Sequence, residues 1–313
     1  MSPAKDTRQL NAEHASISAL QAWILAFRPK TLPAAAAPVL VGSAVAFYTG
    51  NFAPLPALAA LAGGLLLQIG ANLANDVYDF QHGADTSFRV GPLRVTQAGL
   101  LTPDQVKAGM WLVFGLAALI GAYLTLQAGW PVVVIGLLAI AAAIAYTGGP
   151  FPLGYHGLGE VFVFVFFGLV AVTGTYFVQA KEINWYALAA SIPIGLLTCA
   201  LLTVNNLRDI ETDRITGKMT LAARFGEDFA RQEYLALVAL AYMSTFLMAM
   251  ANVIEPWVVL TWLSLPLVFT LGKMILTQRG SPLNQALAMT GRLELFFALL
   301  FSLGLILARI VKL

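Results

Sequence analysis

Two short stretches of the sequence carry Asn and Asp at the spacing of one helix face. In both stretches the polar residues recur every three or four positions, so on a helix they form a continuous stripe. Each stripe comes at the end of a long apolar segment. The stripes consist of Asn72, Asn75, Asp76 and Asp79, and of Asn205, Asn206, Asp209 and Asp213.

Side-chain oxygens arranged in this way suit a hard cation. Mg²⁺ takes oxygen ligands and is commonly held by one or two carboxylates together with phosphate oxygens of a substrate. Two facing stripes therefore predict a magnesium–diphosphate site, with the Asn side chains taking part in diphosphate binding. Solvated helix caps would explain one Asp-rich helix end, but they give no reason for two matched ones. The predicted metal ligands are Asp76, Asp79, Asp85, Asp209 and Asp213.

Basic residues flank both stripes and could hold the oxygens of a diphosphate that the metal ions leave uncovered. Lys218, after Gly217, and Arg94, within a Gly-Pro-Leu-Arg stretch, are the strongest candidates. We expect Lys218 and the four Asp residues of the stripes to take part in catalysis. The other predicted diphosphate-binding residues are Lys30, Arg89, Arg208, Arg214 and Arg224, each of which could instead be a loop charge that sets membrane topology.

The composition places these residues in a membrane protein. Of 313 residues, 59% are hydrophobic and 11% are charged, and the mean hydropathy is +0.78. Soluble domains carry about 25% charged residues. The net charge of +2 gives no reason to expect nucleic-acid binding. A lone Cys199 within an apolar run and three scattered His residues offer neither a disulfide nor a zinc site.

The elements that must position the stripes are predicted to be transmembrane helices. A spanning helix needs about 20 apolar residues, and nine segments meet this requirement, so the expected fold is an all-α polytopic membrane protein. We expect a polar, flexible tail over residues 1–18, followed by a single membrane domain over residues 19–313 with two Asp-rich halves. Residues 19–27 are predicted to form an interfacial helix. The nine segments are residues 31–49, 55–79, 108–127, 131–148, 158–179, 185–208, 233–253, 256–276 and 291–311.

Positive charge predicts the orientation of these helices. Fifteen of the 18 Lys and Arg residues fall on the side that holds the N-terminus and the three long loops, and three fall on the other. Loops rich in Lys and Arg stay in the cytoplasm. We therefore expect a protein of the cell (inner) membrane, with a cytoplasmic N-terminus, cytoplasmic active-site loops and an external C-terminus.

The sequence around the stripes resembles the UbiA superfamily of intramembrane prenyltransferases, and within it the branch that acts on 1,4-dihydroxy-2-naphthoate. The resemblance covers residues 28–226, and the remainder agrees in hydropathy. Asp79 and Asp85 are six residues apart, wider than in many members of the superfamily. The 146–160 connection has no Lys or Arg, unlike relatives that act on hydroxybenzoate. The matching stretches are Arg28–Pro33, Asn72–Asp85, Gly91–Gly99, Tyr146–Pro150, Gly157–Glu160 and Asn205–Lys218.

The resemblance implies nine transmembrane helices around a central cavity that opens to lipid. It implies a Mg²⁺-dependent transfer from a polyprenyl diphosphate to the naphthoate, with decarboxylation, which gives demethylmenaquinol for menaquinone biosynthesis. Tyr146 is a predicted catalytic residue, and Tyr78 and Phe166 are further aromatic side chains that could stabilise an allylic cation. The expected partners are the diphosphate, the aromatic acid and the lipid bilayer.

Two other functions compete with this interpretation. A related prenyltransferase could use a phytyl donor, or another acceptor such as hydroxybenzoate, homogentisate, haem or a glycerophosphate lipid. A secondary transporter also carries ionisable residues, but typically near the bilayer midplane, whereas these acids cluster at helix ends. A structural scaffold would give no reason for paired carboxylate stripes.

Overall fold

The computed structural model describes residues 17–85 and 90–312, which form helices and no strand. The predicted tail of residues 1–18 lies almost entirely outside these ranges. The helices are α1 (Ala19–Phe27), α2 (Pro33–Thr49), α3 (Pro54–Gln81), α4 (Pro103–Ala128), α5 (Pro131–Ala145), α6 (Gly159–Ala180), α7 (Trp185–Ile215), α8 (Leu221–Phe225), α9 (Glu227–Met250), α10 (Pro256–Thr277) and α11 (Leu283–Lys312).

Local sequence signals fix where these helices begin and end. Proline stands in the first turn of α2, α3, α4, α5 and α10, where its missing N–H breaks no helical hydrogen bond. Ser18 and Thr102 form capping boxes with Gln21 and Gln105 at the starts of α1 and α4. Gly50 ends α2 with a φ of 83°, a left-handed conformation that glycine adopts without strain.

Each of the nine predicted segments corresponds to a helix, but the count of nine spans is not confirmed. Among the described residues, seven helices are long and apolar enough to cross a membrane, and an eighth span results if α1 and α2, bent by 51°, are counted together. The count is below nine because the shortest helices do not reach the length of a membrane span. Helix α5 has 15 residues, a length of about 22 Å, against the roughly 30 Å of a bilayer core. The helix predicted over residues 19–27 is present as α1.

Helix α7 lies at the centre of the helices. Its apolar stretch is 78% buried, whereas the other spans bury half or less of theirs and leave the rest facing outwards. It packs against α6 and α9 and contacts α2 and α11. Helix α3 packs chiefly against α4. The two Asp-rich stripes therefore lie on α7 and on a helix of the neighbouring group, and both stripes are at helix ends.

Glycines let α6 and α7 approach closely. A Cβ atom added to Gly168 would lie 2.7 Å from the Cα of Gly195, and a Cβ at Gly195 would lie 2.8 Å from the ring of Phe164. This crossing occurs in the stretch Phe164–Val170, where α6 adopts π-helical hydrogen bonding. Inside a bilayer the hydrophobic effect does not drive helices together, so a crossing is stabilised by the close van der Waals packing that small residues allow.

The crossing predicts a stability difference between two glycine substitutions. We expect Gly195→Leu to lower the thermal stability of the detergent-purified protein, because overpacking costs about 1–3 kcal/mol. Gly115→Ala is the control, since a Cβ there meets nothing within 4 Å, and we expect it to leave the melting temperature unchanged or slightly raised. Equal melting temperatures for Gly195→Leu and the wild type would contradict this account.

Candidate functional site

A cavity of about 590 Å³ lies among α2, α3, α4, α5, α6 and α7. Most of its wall is formed by Ala, Val, Leu, Ile and Phe side chains of these helices. Polar and charged groups gather where α3 and α7 carry their stripes, so the cavity is apolar along its length and polar at one end. The charged and amide residues at that end are Arg28, Gln68, Asn72, Asn75, Asp79, Arg94, Asn205, Asn206 and Lys218.

Asp79 is the carboxylate that faces the cavity from the last turns of α3. It is 1% exposed and accepts hydrogen bonds from Arg94 Nη2 at 3.0 Å and from the Tyr155 hydroxyl at 2.9 Å. Lys218 Nζ lies 3.9 Å from the same carboxylate and 5.4 Å from the centre of the Tyr155 ring. Asp79 is therefore the point where groups from three separate loops meet.

The loop after the first stripe is tied down by the stripe itself. Asp76 accepts hydrogen bonds from the backbone N–H groups of Thr96 at 3.0 Å and Val95 at 3.3 Å. Arg94 Nε lies 3.4 Å from Asp85. Arg94 is 5% exposed, and its Nη1 has no hydrogen-bond partner within residues 17–85 and 90–312. A buried guanidinium with a spare donor beside a cavity suits an anionic ligand.

The amide side chains of the first stripe position neighbouring backbone. Asn72 Nδ2 donates to the carbonyl of Phe27 and to Thr31 Oγ1, both at 3.0 Å. These contacts hold the turn after α1, in which Arg28 adopts a φ of 51° and lines the cavity. Asn75 Oδ1 accepts a hydrogen bond from Thr147 at 3.0 Å.

The second stripe, on α7, pairs with its own arginine. Arg208 is 4% exposed and donates to both carboxylate oxygens of Asp209, with Nε 2.8 Å from Oδ1, and to Asn205 Oδ1 at 2.8 Å. Asn206 donates to Glu160 Oε1 at 3.0 Å. Asp213 is buried, and its backbone carbonyl accepts a hydrogen bond from the N–H of Lys218, which turns the chain back towards the cavity.

Tyr155 remains a hydrogen-bond donor at any physiological pH. Burial raises the pKa of Tyr155 well above its usual value, and the negative charge of Asp79 and the hydrogen bond to it raise the pKa further. The hydroxyl therefore stays protonated and keeps donating to Asp79. Tyr146, at the end of α5, also lines the cavity, with Gly154 and Gly159 packed against its ring.

The structure brings only part of the predicted site to the cavity wall. The predicted residues that line it are Asn72, Asn75, Asp79, Arg94, Tyr146, Asn205, Asn206 and Lys218. Asp76, Asp85, Asp209, Asp213 and Arg208 are buried beside that end without lining it. Arg214 and Arg224 donate to backbone carbonyls of Ala223, Met219 and His156. Lys30 is exposed. Arg89 lies outside the described residues.

The donor chemistry at the polar end fits Mg²⁺. Asn75, Asp79 and Asn205 line the cavity and each carries a side-chain oxygen, the kind of ligand that a hard cation prefers. Within the described ranges, no three His, Cys, Asp or Glu side chains converge as a metal cluster. Guanidinium groups instead contact Asp79, Asp85 and Asp209 in this conformation. These carboxylates are therefore already paired with positive charge, as they would be with a bound metal ion.

Three contributors to the site were not singled out by the sequence. Arg28 lines the cavity where Lys30 was predicted to act; its left-handed backbone angle, which only coordinates reveal, turns it inwards. Tyr155 approaches Asp79 across 76 positions in sequence. Glu160 contacts Asn206 from the start of α6. Tyr155 and Glu160 lie in the short 146–160 connection, and Glu160 also ends the matching stretch Gly157–Glu160, but no role was predicted for either.

A family model now identifies the chain. The UbiA prenyltransferase family matches residues 35–300. The chain belongs to the UbiA prenyltransferase family. It is a multi-pass membrane protein and a prenyltransferase, as the resemblance around the two stripes implied. The all-α fold is confirmed too, because the described residues form helices and no strand.

Relatives and solved structures agree with this assignment. A 1,4-dihydroxy-2-naphthoate octaprenyltransferase of Mycobacterium tuberculosis is 40% identical over 88% of this chain and 94% of its own length. The enzyme of that name from Escherichia coli is 38% identical, over 94% and 97%. A UbiA homologue from Aeropyrum pernix superposes with a TM-score of 0.68 at 17% identity, over 90% of this chain and 98% of its own. One from Archaeoglobus fulgidus, bound to DMAPP and Mg²⁺, gives 0.65 at 17%, over 91% and 98%.

The spare donor of Arg94 predicts a binding phenotype. We expect Arg94→Lys to weaken binding of inorganic diphosphate about tenfold, since the fork of donors is lost but the charge remains, and Arg94→Gln to weaken it roughly 10- to 100-fold. Calorimetry with magnesium present measures both affinities. The matched control is Arg279→Gln, because Arg279 is exposed and contacts Glu227 away from the cavity. Wild-type affinity in both Arg94 variants would contradict the assignment.

Proposed function

We propose that the protein transfers a polyprenyl group from a polyprenyl diphosphate to 1,4-dihydroxy-2-naphthoate, with loss of carbon dioxide, to form a demethylmenaquinol. The observation that carries the proposal is the cavity with one charged end and an otherwise apolar wall, which matches a substrate with a diphosphate head and a hydrocarbon tail. The naphthoate acceptor is supported by relatives named for that activity, which are 34–40% identical over most of the chain.

The charged end would bind the diphosphate. Arg28, Arg94 and Lys218 line it and reach from three loops, so that a bound diphosphate would be held from several sides. Asn75, Asp79 and Asn205 would hold Mg²⁺ at the same end. Asp79 is the member of the predicted ligand set that lines the cavity, and Asp209 and Asp213 on α7 are buried beside it. A metal ion bound there would supply positive charge that stabilises the departing diphosphate.

The apolar wall would serve the chemistry in two ways. It excludes water, so that an allylic cation formed when the C–O bond breaks is not hydrolysed. It also holds the prenyl chain and the flat acceptor against each other, which supplies the orientation that two lipid-soluble reactants lack in the bilayer. The rings of Tyr146 and Phe166 line the wall, and their faces would stabilise the cation.

The bond changes balance within these two substrates. The allylic C–O bond breaks, and its electron pair leaves with the diphosphate. The electron-rich ring carbon that carries the carboxylate forms the new C–C bond to the prenyl group. The C–C bond to the carboxylate then breaks, carbon dioxide leaves, and the electron pair restores the aromatic ring.

The distribution of Lys and Arg supports an orientation in which the charged end of the cavity faces the cytoplasm. All the basic residues that line the cavity belong to the side with fifteen of the 18 positive charges. By the positive-inside rule this side is cytoplasmic. The water-soluble diphosphate product would then be released into the cytoplasm, while the prenylated product would leave into the bilayer.

The acceptor assignment predicts a stoichiometry. With the purified protein, Mg²⁺ and one polyprenyl diphosphate, we expect turnover of 1,4-dihydroxy-2-naphthoate with one carbon dioxide released for each prenylated product. Hydroxybenzoate and homogentisate, offered in parallel, should react at least about tenfold more slowly. Faster prenylation of either of these acceptors would replace the proposed acceptor while leaving the diphosphate site in place.

The metal site predicts a loss of turnover on neutralising its acids. We expect Asp79→Asn and Asp209→Asn each to lower magnesium-dependent turnover at least about 100-fold, a loss of roughly 2.7 kcal/mol of transition-state stabilisation. Asp104→Asn, at the exposed start of α4, is the control and should retain wild-type turnover. If both Asp79→Asn and Asp209→Asn kept full activity, the metal assignment would be wrong.

A further inference from the structure

Asn284 joins the surroundings of the two Asp-rich ends. It lies in the first turn of α11, on neither stripe and outside the cavity wall. Its amide nitrogen donates to the carbonyl of Val90 at 3.1 Å, and its amide oxygen accepts a hydrogen bond from Arg208 Nη1 at 3.0 Å. The two partners are 194 and 76 positions away in sequence, so a single side chain links three distant segments.

Each side of this link holds one of the acidic ends. On one side, Val90 begins the segment of residues 90–101, here called the 90–101 loop. This loop donates two backbone N–H groups to Asp76 and supplies Arg94 to Asp79 and Asp85. On the other side, Arg208 contacts Asn205 and Asp209. Arg94 and Arg208 therefore contact their carboxylates from two elements that meet at Asn284.

The carboxamide of Asn284 serves both partners because it offers a donor and an acceptor at once. The carbonyl of Val90 needs a donor, and the guanidinium of Arg208 needs an acceptor. An aspartate would accept from Arg208 but would have no proton for Val90, and an alanine or leucine would offer neither group. The start of α11 is itself fixed, because the Asn284 N–H donates to the carbonyl of Ser281 at 3.0 Å. The side chain is therefore presented at a defined position between the two partners.

We propose that Asn284 is a positioning residue that couples the 90–101 loop to Arg208, and so holds the two acidic ends in register at the charged end of the cavity. It touches neither substrate nor the reacting atoms. Its effect passes through Arg94 on one side and Asp209 on the other. Loosening it disorganises the diphosphate end of the cavity, while the apolar wall that holds the aromatic acceptor is left as it was.

Two substitutions separate the halves of the link. Asn284→Asp keeps an acceptor for Arg208 and loses the donor to Val90, whereas Asn284→Leu loses both. Asn284→Ala repeats the loss of both without adding bulk, which guards against a packing defect in the leucine variant. Gln285 is exposed on the same helical turn, so Gln285→Asp and Gln285→Leu are matched controls for charge and for apolar character.

Amide hydrogen exchange of the purified full chain tests the coupling without any substrate. In Asn284→Asp we expect at least about tenfold faster exchange in peptides from residues 90–101, with the end of α7 unchanged. In Asn284→Leu and Asn284→Ala both regions should exchange faster. Wild-type exchange of the 90–101 loop in all three variants would overturn the proposal, and so would an equal increase in the Gln285 controls.

The kinetic consequence rests on the proposed function. With wild-type turnover as reference, Asn284→Ala should raise the KM for polyprenyl diphosphate about tenfold and leave the KM for the aromatic acceptor within twofold. A residue with only a structural role would lower the amount of active protein, and therefore kcat, with both KM values unchanged; that result would overturn the proposal. A wild-type protein inactive on the naphthoate would refute the function, while hydrogen exchange would still decide the coupling.

Discussion

The pairing of buried carboxylates with buried guanidinium groups is the constraint on which the rest of the site depends. Asp79 and Asp209 are at most 5% exposed, and each contacts an arginine that is equally buried. Removing one partner of such a pair typically costs about 3–5 kcal/mol, because a charge is then left buried without compensation. The two arginines therefore determine where two helix ends and a loop can lie.

This constraint also explains why the binding site is concentrated at one end of the cavity. Charged side chains are costly inside a bilayer, and the cost falls towards the helix ends. The helices accordingly keep their paired charges where α3 and α7 end, and the cavity wall beyond them is apolar. The cavity thus has a charged end that suits a diphosphate and an apolar remainder that suits a hydrocarbon chain and aromatic rings.

Helix existence and the identity of the charged end could be predicted from the sequence, because both are local. Apolar length marks the long helices, and polar residues three or four positions apart mark both stripes. Which residue of a stripe faces the cavity and which contacts the protein backbone could not be predicted. Asp76 and Asp79 are three residues apart, yet one binds backbone N–H groups and the other faces the cavity. That difference depends on where the 90–101 loop returns, which no local pattern encodes.

Local sequence also could not predict that Arg28, and not Lys30, lines the cavity. Both lie in one Arg-Pro-Lys stretch, and charge alone gives no reason to prefer either. The choice is made by Asn72, whose amide holds the carbonyl of Phe27 and the hydroxyl of Thr31 on either side of the turn. Arg28 is then fixed in a left-handed conformation that a non-glycine residue adopts only when its surroundings impose it.

Asn72, which was predicted to bind the diphosphate directly, can therefore also act by positioning Arg28. Asn72 lines the cavity, but both protons of its amide nitrogen are already donated to protein oxygens. An amide nitrogen has only two protons to donate, so any further contact with a ligand falls to its oxygen. The positive charge at this point of the cavity comes from Arg28, and it is held there by the neutral residue beside it.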